Sequence, residues 1–230
     1  MCGIVAAVAD RNIIPVLLEG LRKLEYRGYD SAGLALIDEN GLRRLRAVGR
    51  VAELTAQADE TAVAGQTGIA HTRWATHGVP SERNAHPHIS DGLAVVHNGI
   101  IENFRELRAE LSAAGLSFES ETDTETVALL ARHYIDQGDT PIEAARKTLK
   151  RLRGAFALCF LFDGQEDLLL CARKGSPLAI GHDEGEMFVG SDAIALAPMT
   201  HRITYLEEGD RAVITRPGDA VLDAQHRPAN

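Results

Sequence analysis

The nine residues Met1–Ala9, "MCGIVAAVA", place a cysteine directly behind the initiator methionine and follow it with small, apolar, partly β-branched side chains. Ile4–Ala9 suit a buried strand, and such a strand would pin a chain end that otherwise frays. A small residue at position 2 permits removal of Met1, so that one residue would carry both a thiol and a free α-amine. With reference pKa values of about 7.7–8.0 for the amine and about 8.5 for the thiol, the two can exchange a proton near neutral pH without a histidine. The alternative is that Cys2 is only a small buried residue heading the first strand. What decides between them is whether the rest of the chain can build a site around that terminus.

Outward from this strand, "NIIPVLLEGLRKLEY" sets Ile14, Leu17, Leu18, Leu21 and Leu24 at helical spacing. "SAGLALID" and "LRRLRAV" flank "ENG" and read as a hairpin; "AELTAQADETA" reads as a short helix or a loop. Strands are expected at Thr67–Thr72 and Leu93–His97. Three helices follow, near Glu102–Ala114, Asp123–Gln137 and Pro141–Leu152. The last two are announced by capping boxes, Thr122-x-x-Glu125 and Thr140-Pro141-x-Glu143. From Gly154 the pattern turns to strands separated by Gly, Pro and Asp. Strands first, helices in the middle and a β-rich tail imply an α+β fold of two antiparallel sheets with helices on the outer faces, for which a four-layer αββα sandwich is one solution.

Composition narrows the function. The 230 residues, 45% of them hydrophobic, suffice for a core, and no linker, repeat or low-complexity tract interrupts them. A formal charge of −9 gives a phosphate backbone nothing to bind, so nucleic acid is not expected as a partner. No stretch approaches the roughly 18 apolar residues of a membrane span, and no signal-like segment opens the chain. Cys159 and Cys171 lie in "FALCFLF" and "DLLLCAR" and read as packed core thiols, which with the odd cysteine count indicates a reducing cytoplasm.

Functional groups concentrate between Gly65 and Gly99, where five of the nine histidines fall. A cysteine attacking a carbonyl needs donors aimed at the developing oxyanion. In "VVHNGIIENF", Asn98 offers an amide and Gly99 lets a backbone N–H come close to a ligand. Asn-Gly is also the commonest hairpin dipeptide, although the helical pattern after it makes a hairpin less natural. An amino-acid substrate needs a cation for its carboxylate and an anion for its ammonium. Arg73 can supply the first bidentately and Asp123 the second; alternatively, Arg73 is a surface cation and Asp123 complements a helix N-terminus. Trp74 reads as core or as lid, and Thr76, His77 and Gly78 as a polar loop beside it. The spacings of His71, His77, His86, His88 and His97 (6, 9, 2 and 9 residues) match no metal-ligand pattern.

Taken in order, "MCGIV", "LEYRGYDSAG", "GIAHTRWATHG", "NAHPH", "VVHNGIIEN" and "SETDTE" closely resemble the glutaminase domain of the glutamine–fructose-6-phosphate aminotransferase family, over essentially all 230 residues. The resemblance implies the αββα fold of the N-terminal-nucleophile hydrolases and hydrolysis of L-glutamine to glutamate and ammonia. It implies Cys2 as nucleophile and Asn98 with Gly99 as oxyanion hole. Arg73 would hold the glutamine carboxylate and Asp123 its α-amine, with Thr76 and His77 lining the pocket. Trp74 would sit on a loop closing over glutamine, and Arg27 would support the nucleophile from behind.

No cofactor and no metal are implied. The implied partner is a sugar isomerase domain or subunit that receives ammonia, in a homo-oligomeric full-length enzyme. Family members continue into that isomerase region, whereas this sequence stops at "AQHRPAN". One domain over residues 1–230 is therefore expected, either excised from a longer enzyme or standing alone. Ala6 departs from the glycine frequent in the family. The competing readings are the glutaminase part of an amidophosphoribosyltransferase or asparagine synthetase, which "YRGYDSAG" disfavours, and a non-catalytic glutamine-sensing module, for which an intact Cys2 and Asn98 have no use.

Overall fold

Strand β1 (Gly3–Val8) is buried at all six positions, as its uninterrupted apolar run requires. Our computed structural model describes residues 2–74, 79–225 and 227–229. The chain proceeds through α1 (Ile14–Leu24), β2 (Ser31–Asp38), β3 (Gly41–Val48), α2 (Val51–Thr61), β4 (Thr67–Arg73), β5 (His88–Ile89) and β6 (Leu93–Ile101). It continues through α3 (Phe104–Ala113), α4 (Asp123–Asp136), α5 (Pro141–Arg151), β7 (Gly154–Phe162), β8 (Leu169–Lys174), β9 (Ala179–Asp183) and β10 (Glu186–Gly190). Last come α6 (Ala193–Leu196), β11 (Arg202–Tyr205), β12 (Arg211–Thr215) and β13 (Gly218–Leu222).

These strands make two antiparallel sheets, one ordered β11-β9-β10-β1-β4-β2-β3 and the other β13-β12-β8-β7-β6-β5. The two-residue side-chain period of β1 divides its burial between two cores. Val5 and Ala7 face α1 and α2, packing with Leu17, Leu21 and Leu54. Ile4, Ala6 and Val8 face the second sheet, packing with Val96, Ala157, Cys159 and Leu161. The far side of that sheet carries Val95, Leu158 and Phe160 against Leu107, Val127 and Ala131 of α3 and α4. The result is the expected four-layer αββα sandwich. Ala6, in place of glycine, is fully buried between the sheets. Cys159 and Cys171 are free, buried thiols opposite each other on β7 and β8.

Several boundaries differ from the sequence reading for identifiable reasons. Residues 51–61 are helical, with Val51, Leu54 and Ala58 buried at helical spacing. Of each capping box, only the threonine half forms: the Thr122 and Thr140 hydroxyls accept from the amides of Glu125 and Glu143. Glu125 instead accepts from the amides of Glu119 and Ser120, at 2.6 and 2.7 Å, shaping the segment that enters α4. The strand expected at Leu93–His97 runs on to Ile101, and α3 begins only at Phe104. Asn98 and Gly99 pair with Ala157 and Phe156 of β7, so the dipeptide is neither a hairpin turn nor a strand-to-helix loop. Gly99 has φ +116°, and a Cβ there would lie 2.1 Å from the carbonyl oxygen of Ala155. Pairing with β7 thus overrides the local turn signal, and only glycine fits. Among the described residues no helix is long and apolar enough to cross a membrane.

Candidate active site

β1 pairs with β4 so that Gly3 lies opposite Thr72, which sets Cys2, one residue earlier, beside the end of β4 at Arg73 and Trp74. The Trp74 amide donates to Cys2 Sγ at 3.3 Å, and the thiol reaches the Trp74 carbonyl at 3.5 Å. On the other edge of β1, the Ile4 amide donates to Ser191 Oγ, and the Ser191 amide to the Ile4 carbonyl, both at 3.0 Å. The chain end is therefore held from both sides. Burial pushes the Cys2 thiol above its usual pKa, opposed by the Trp74 main chain and the nearby Arg73 cation. At neutral pH the sulfur rests as a thiol, and attack by it requires a base.

Asn98, near the C-terminal end of β6, donates from Nδ2 to the Cys2 carbonyl at 3.3 Å. Its Oδ1 lies 3.0 Å from His71 Nε2, which is also 2.9 Å from the His97 carbonyl. Arg73, read alternatively as a surface cation, is buried, with its side chain 5% exposed and Nη1 3.3 Å from Asp30 Oδ1. The Asp30 amide also donates to the Arg73 carbonyl at 2.7 Å. Asp123 opens α4, where the helix dipole favours a carboxylate, and its Oδ2 accepts from the Ile101 amide at 2.8 Å.

One cavity collects these groups. Cys2, Arg73, Trp74, Gly99 and Asp123 line it, together with His86, His97, Thr122 and Thr124. Of the residues singled out in the sequence, the cavity gathers the cysteine, both candidate substrate ions, the tryptophan and the glycine, with Asn98 bonded directly behind the cysteine. Trp74 is 51% exposed and is not core. Its ring lies over Gly28 (φ +99°), where a Cβ would come within 2.3 Å of it, so the glycine of "YRGYDS" makes room for the indole. Arg27 is not a lining residue; its Nη2 donates to Asp192 Oδ2 at 2.7 Å. Through Asp192 it buttresses Ser191, the residue that holds Ile4. Thr76 and His77 lie outside the described residues.

Four buried imidazoles pack here, His86 and His97 in the cavity lining with His71 and His88 beside them. His71 and His86 stack at 4.1 Å between centroids, and His88 meets His86 edge-on at 5.0 Å. His86 Nδ1 accepts from the His97 amide at 3.3 Å. Thr124 Oγ1 is 3.2 Å from His86 Nε2 and 2.9 Å from His97 Nδ1. Among the described residues no cluster of three or more His, Cys, Asp or Glu is arranged to hold a metal ion. Burial keeps all four rings neutral: it lowers His71 to about 3, His86 and His88 well below their usual value, and His97 as well, the last partly offset by Asp123. In the unfolded chain the same rings titrate near 6.5. Below that pH the unfolded state binds protons that the folded state refuses. The stability these rings contribute is therefore present above about pH 6.5 and is lost as the pH falls below it, by about 1 kcal/mol over the first pH unit for each of His71, His86 and His88. Urea unfolding at pH 7.5 and 5.5 should show a drop of several kcal/mol; a flat profile would mean that the rings charge in place.

Sequence reasoning missed Asp30, Ser191, Asp192 and Thr124. Asp30 stood inside the quoted "YRGYDSAG", and a buried arginine calls for such an anion. Ser191 and Asp192 carried no signal.

Residues 71–198, more than half of the chain, match the family model of the glutamine amidotransferase domain. The chain belongs to that family. It is 57% identical over 97% of its length to a glutamine–fructose-6-phosphate aminotransferase [isomerizing] of Mesorhizobium japonicum, and 56% identical over 99% to that of Brucella suis. It spans 37% and 38% of the lengths of those relatives. Among solved structures it superposes on glutamine phosphoribosylpyrophosphate amidotransferase from B. subtilis with a TM-score of 0.83 at 25% identity, covering 99% of this chain and 50% of that one. The αββα sandwich is thus the fold of the N-terminal-nucleophile amidotransferases. Sequence identity more than twice as high places the chain nearer to the aminotransferases than to the phosphoribosyl enzyme.

Proposed function

We propose that the chain hydrolyses L-glutamine to glutamate and ammonia at Cys2. The reading is carried by the convergence, in one cavity, of a strand-anchored Cys2 with Arg73 and Asp123. With Met1 removed, the α-amine of Cys2 takes the thiol proton as sulfur attacks the side-chain carbonyl carbon of glutamine. Negative charge passes to the carbonyl oxygen, where the second Asn98 Nδ2–H and the Gly99 amide stabilise it. The α-ammonium returns the proton to the leaving nitrogen, ammonia departs, and a γ-glutamyl thioester remains. Water, deprotonated by the same amine, attacks the thioester carbonyl; glutamate leaves and the thiol is restored. Arg73 takes the α-carboxylate, Asp123 the α-ammonium, and Trp74, Thr76 and His77 border the bound substrate. Arg27, through Asp192 and Ser191, holds the nucleophile strand in place.

We further propose that the ammonia goes to a sugar-phosphate isomerase partner in the cytoplasm, within a homo-oligomer, for glucosamine 6-phosphate synthesis. Residues 1–230 act as the single ammonia-supplying domain. Assay of this chain alone should detect equimolar glutamate and ammonia, and no amino sugar when fructose 6-phosphate is added. Absence of glutamate release from correctly processed chain would reject the reading, and glucosamine 6-phosphate formed without a partner would reject the division of labour.

Arg73→Lys tests the carboxylate contact. Lysine keeps the charge but not the planar fork, so KM for glutamine should rise about tenfold or more with kcat little changed, because binding of ground state and transition state suffers alike. An unaltered KM would remove Arg73 from the substrate site.

A further inference from the structure

We infer that His71 is a positioning residue, whose Nε2–H holds the Asn98 amide with its NH2 group toward Cys2. The proposal rests on the reading of Asn98 as the oxyanion donor and adds the group that orients it. Two backbone carbonyls leave the arrangement no second solution. The His97 carbonyl, 2.9 Å from His71 Nε2, can only accept, so Nε2 carries the proton. The Cys2 carbonyl, 3.3 Å from the other end of the Asn98 side chain, can also only accept, so the nitrogen of that amide faces Cys2. Asn98 Oδ1 is then left against His71 Nε2 at 3.0 Å, a donor meeting an acceptor.

The ring itself has no freedom. His71 is fully buried and stacked on His86 at 4.1 Å, and its Nδ1 finds no hydrogen-bond partner among the described residues. An amide that loses the Nε2–H partner can rotate about its last torsion and present oxygen, an acceptor, to the developing oxyanion. With its proton on Nε2, the ring atom beside Asn98, His71 cannot accept a proton at that position.

Kinetics of His71→Leu, His71→Gln, Asn98→Ala and the double variant His71→Leu/Asn98→Ala decide the matter, with thermal midpoints recorded to show that each is folded. The leucine variant fills the space without a donor and should lower kcat about ten- to a hundredfold while KM for glutamine stays within about twofold. Glutamine at position 71, whose amide can donate from near the Nε2 position, should recover most of that loss. In the Asn98→Ala background the leucine substitution should cost less than about twofold more, because its effect passes through Asn98. Multiplicative losses in the double variant, or a rise in KM instead of a fall in kcat, would overturn the positioning role. Should Asn98→Ala itself leave kcat unchanged, the oxyanion reading would fail, and the positioning role with it.

Discussion

A chain with an uncleavable residue in front of Cys2 is expected to keep its fold and lose about 10²–10⁴-fold of its glutamine hydrolysis, the usual range for removing a general base. The thiol stands above its ordinary pKa because it is buried, so almost none of it is thiolate at neutral pH and a proton acceptor must act during attack. His71 Nε2 is committed to the His97 carbonyl and Asn98 Oδ1, and His97 Nδ1 faces Thr124 at 2.9 Å. The α-amine freed by removal of Met1 belongs to the same residue as the thiol and is the acceptor in this account. A preceding peptide bond turns it into an amide, which takes no proton near neutral pH. The measurement compares glutamate release by processed and extended chains of verified mass, with circular dichroism to confirm equal folding. Equal rates would assign the base to another group.

Asn98→Ala carries the second large effect, a loss of about 10²–10³ in kcat with KM for glutamine nearly unchanged. An oxyanion donor works on charge that exists only in the transition state, so its removal leaves ground-state binding intact. Fold loss is not the expected cause of the deficit, because the backbone pairing of Asn98 with Ala157 does not depend on the side chain. Gly99 would be a poor test of the same hole: its φ of +116° and the 2.1 Å approach of the Ala155 oxygen make any side chain there a folding defect. Unchanged turnover in Asn98→Ala would leave the residue as no more than a strand position that ties β6 to the start of β1.

Much of the fold was legible because it rests on local patterns. The apolar run after Cys2, the helical spacing of Leu17, Leu21 and Leu24, and the threonine caps of α4 and α5 each act within a few residues, and the layer order follows from them. The course of Asn98-Gly99 was not legible, because its local turn preference is overruled by β7, more than fifty residues later.

The site divides the same way. Cys2, Arg73, Asn98 and Asp123 are each the obvious chemistry of a short motif. What holds them comes from afar: the Ser191 hydroxyl reaches Ile4 across 187 residues, Asp192 reaches Arg27 across 165, and Asp30 reaches Arg73 across 43. The histidines stood out in the sequence by their number, with spacings that match no metal-ligand pattern. Their contribution as a stacked, neutral support appears only when two sheets and α4 bury them together, since nothing in one-dimensional spacing distinguishes a buried imidazole from a ligating one.

The central claim is that Cys2, as the first residue of the processed chain, is the nucleophile for glutamine. Incubation with a glutamine-mimicking diazoketone, followed by intact-mass measurement and peptide mapping, tests it most directly, because the reagent reacts only where a competent thiol meets a bound glutamine-like group. The account predicts one adduct per chain, on Cys2, slowed by added glutamine, absent in Cys2→Ala and absent from the buried Cys159 and Cys171. An unmodified Cys2, or an adduct on any other residue with turnover abolished, would contradict it.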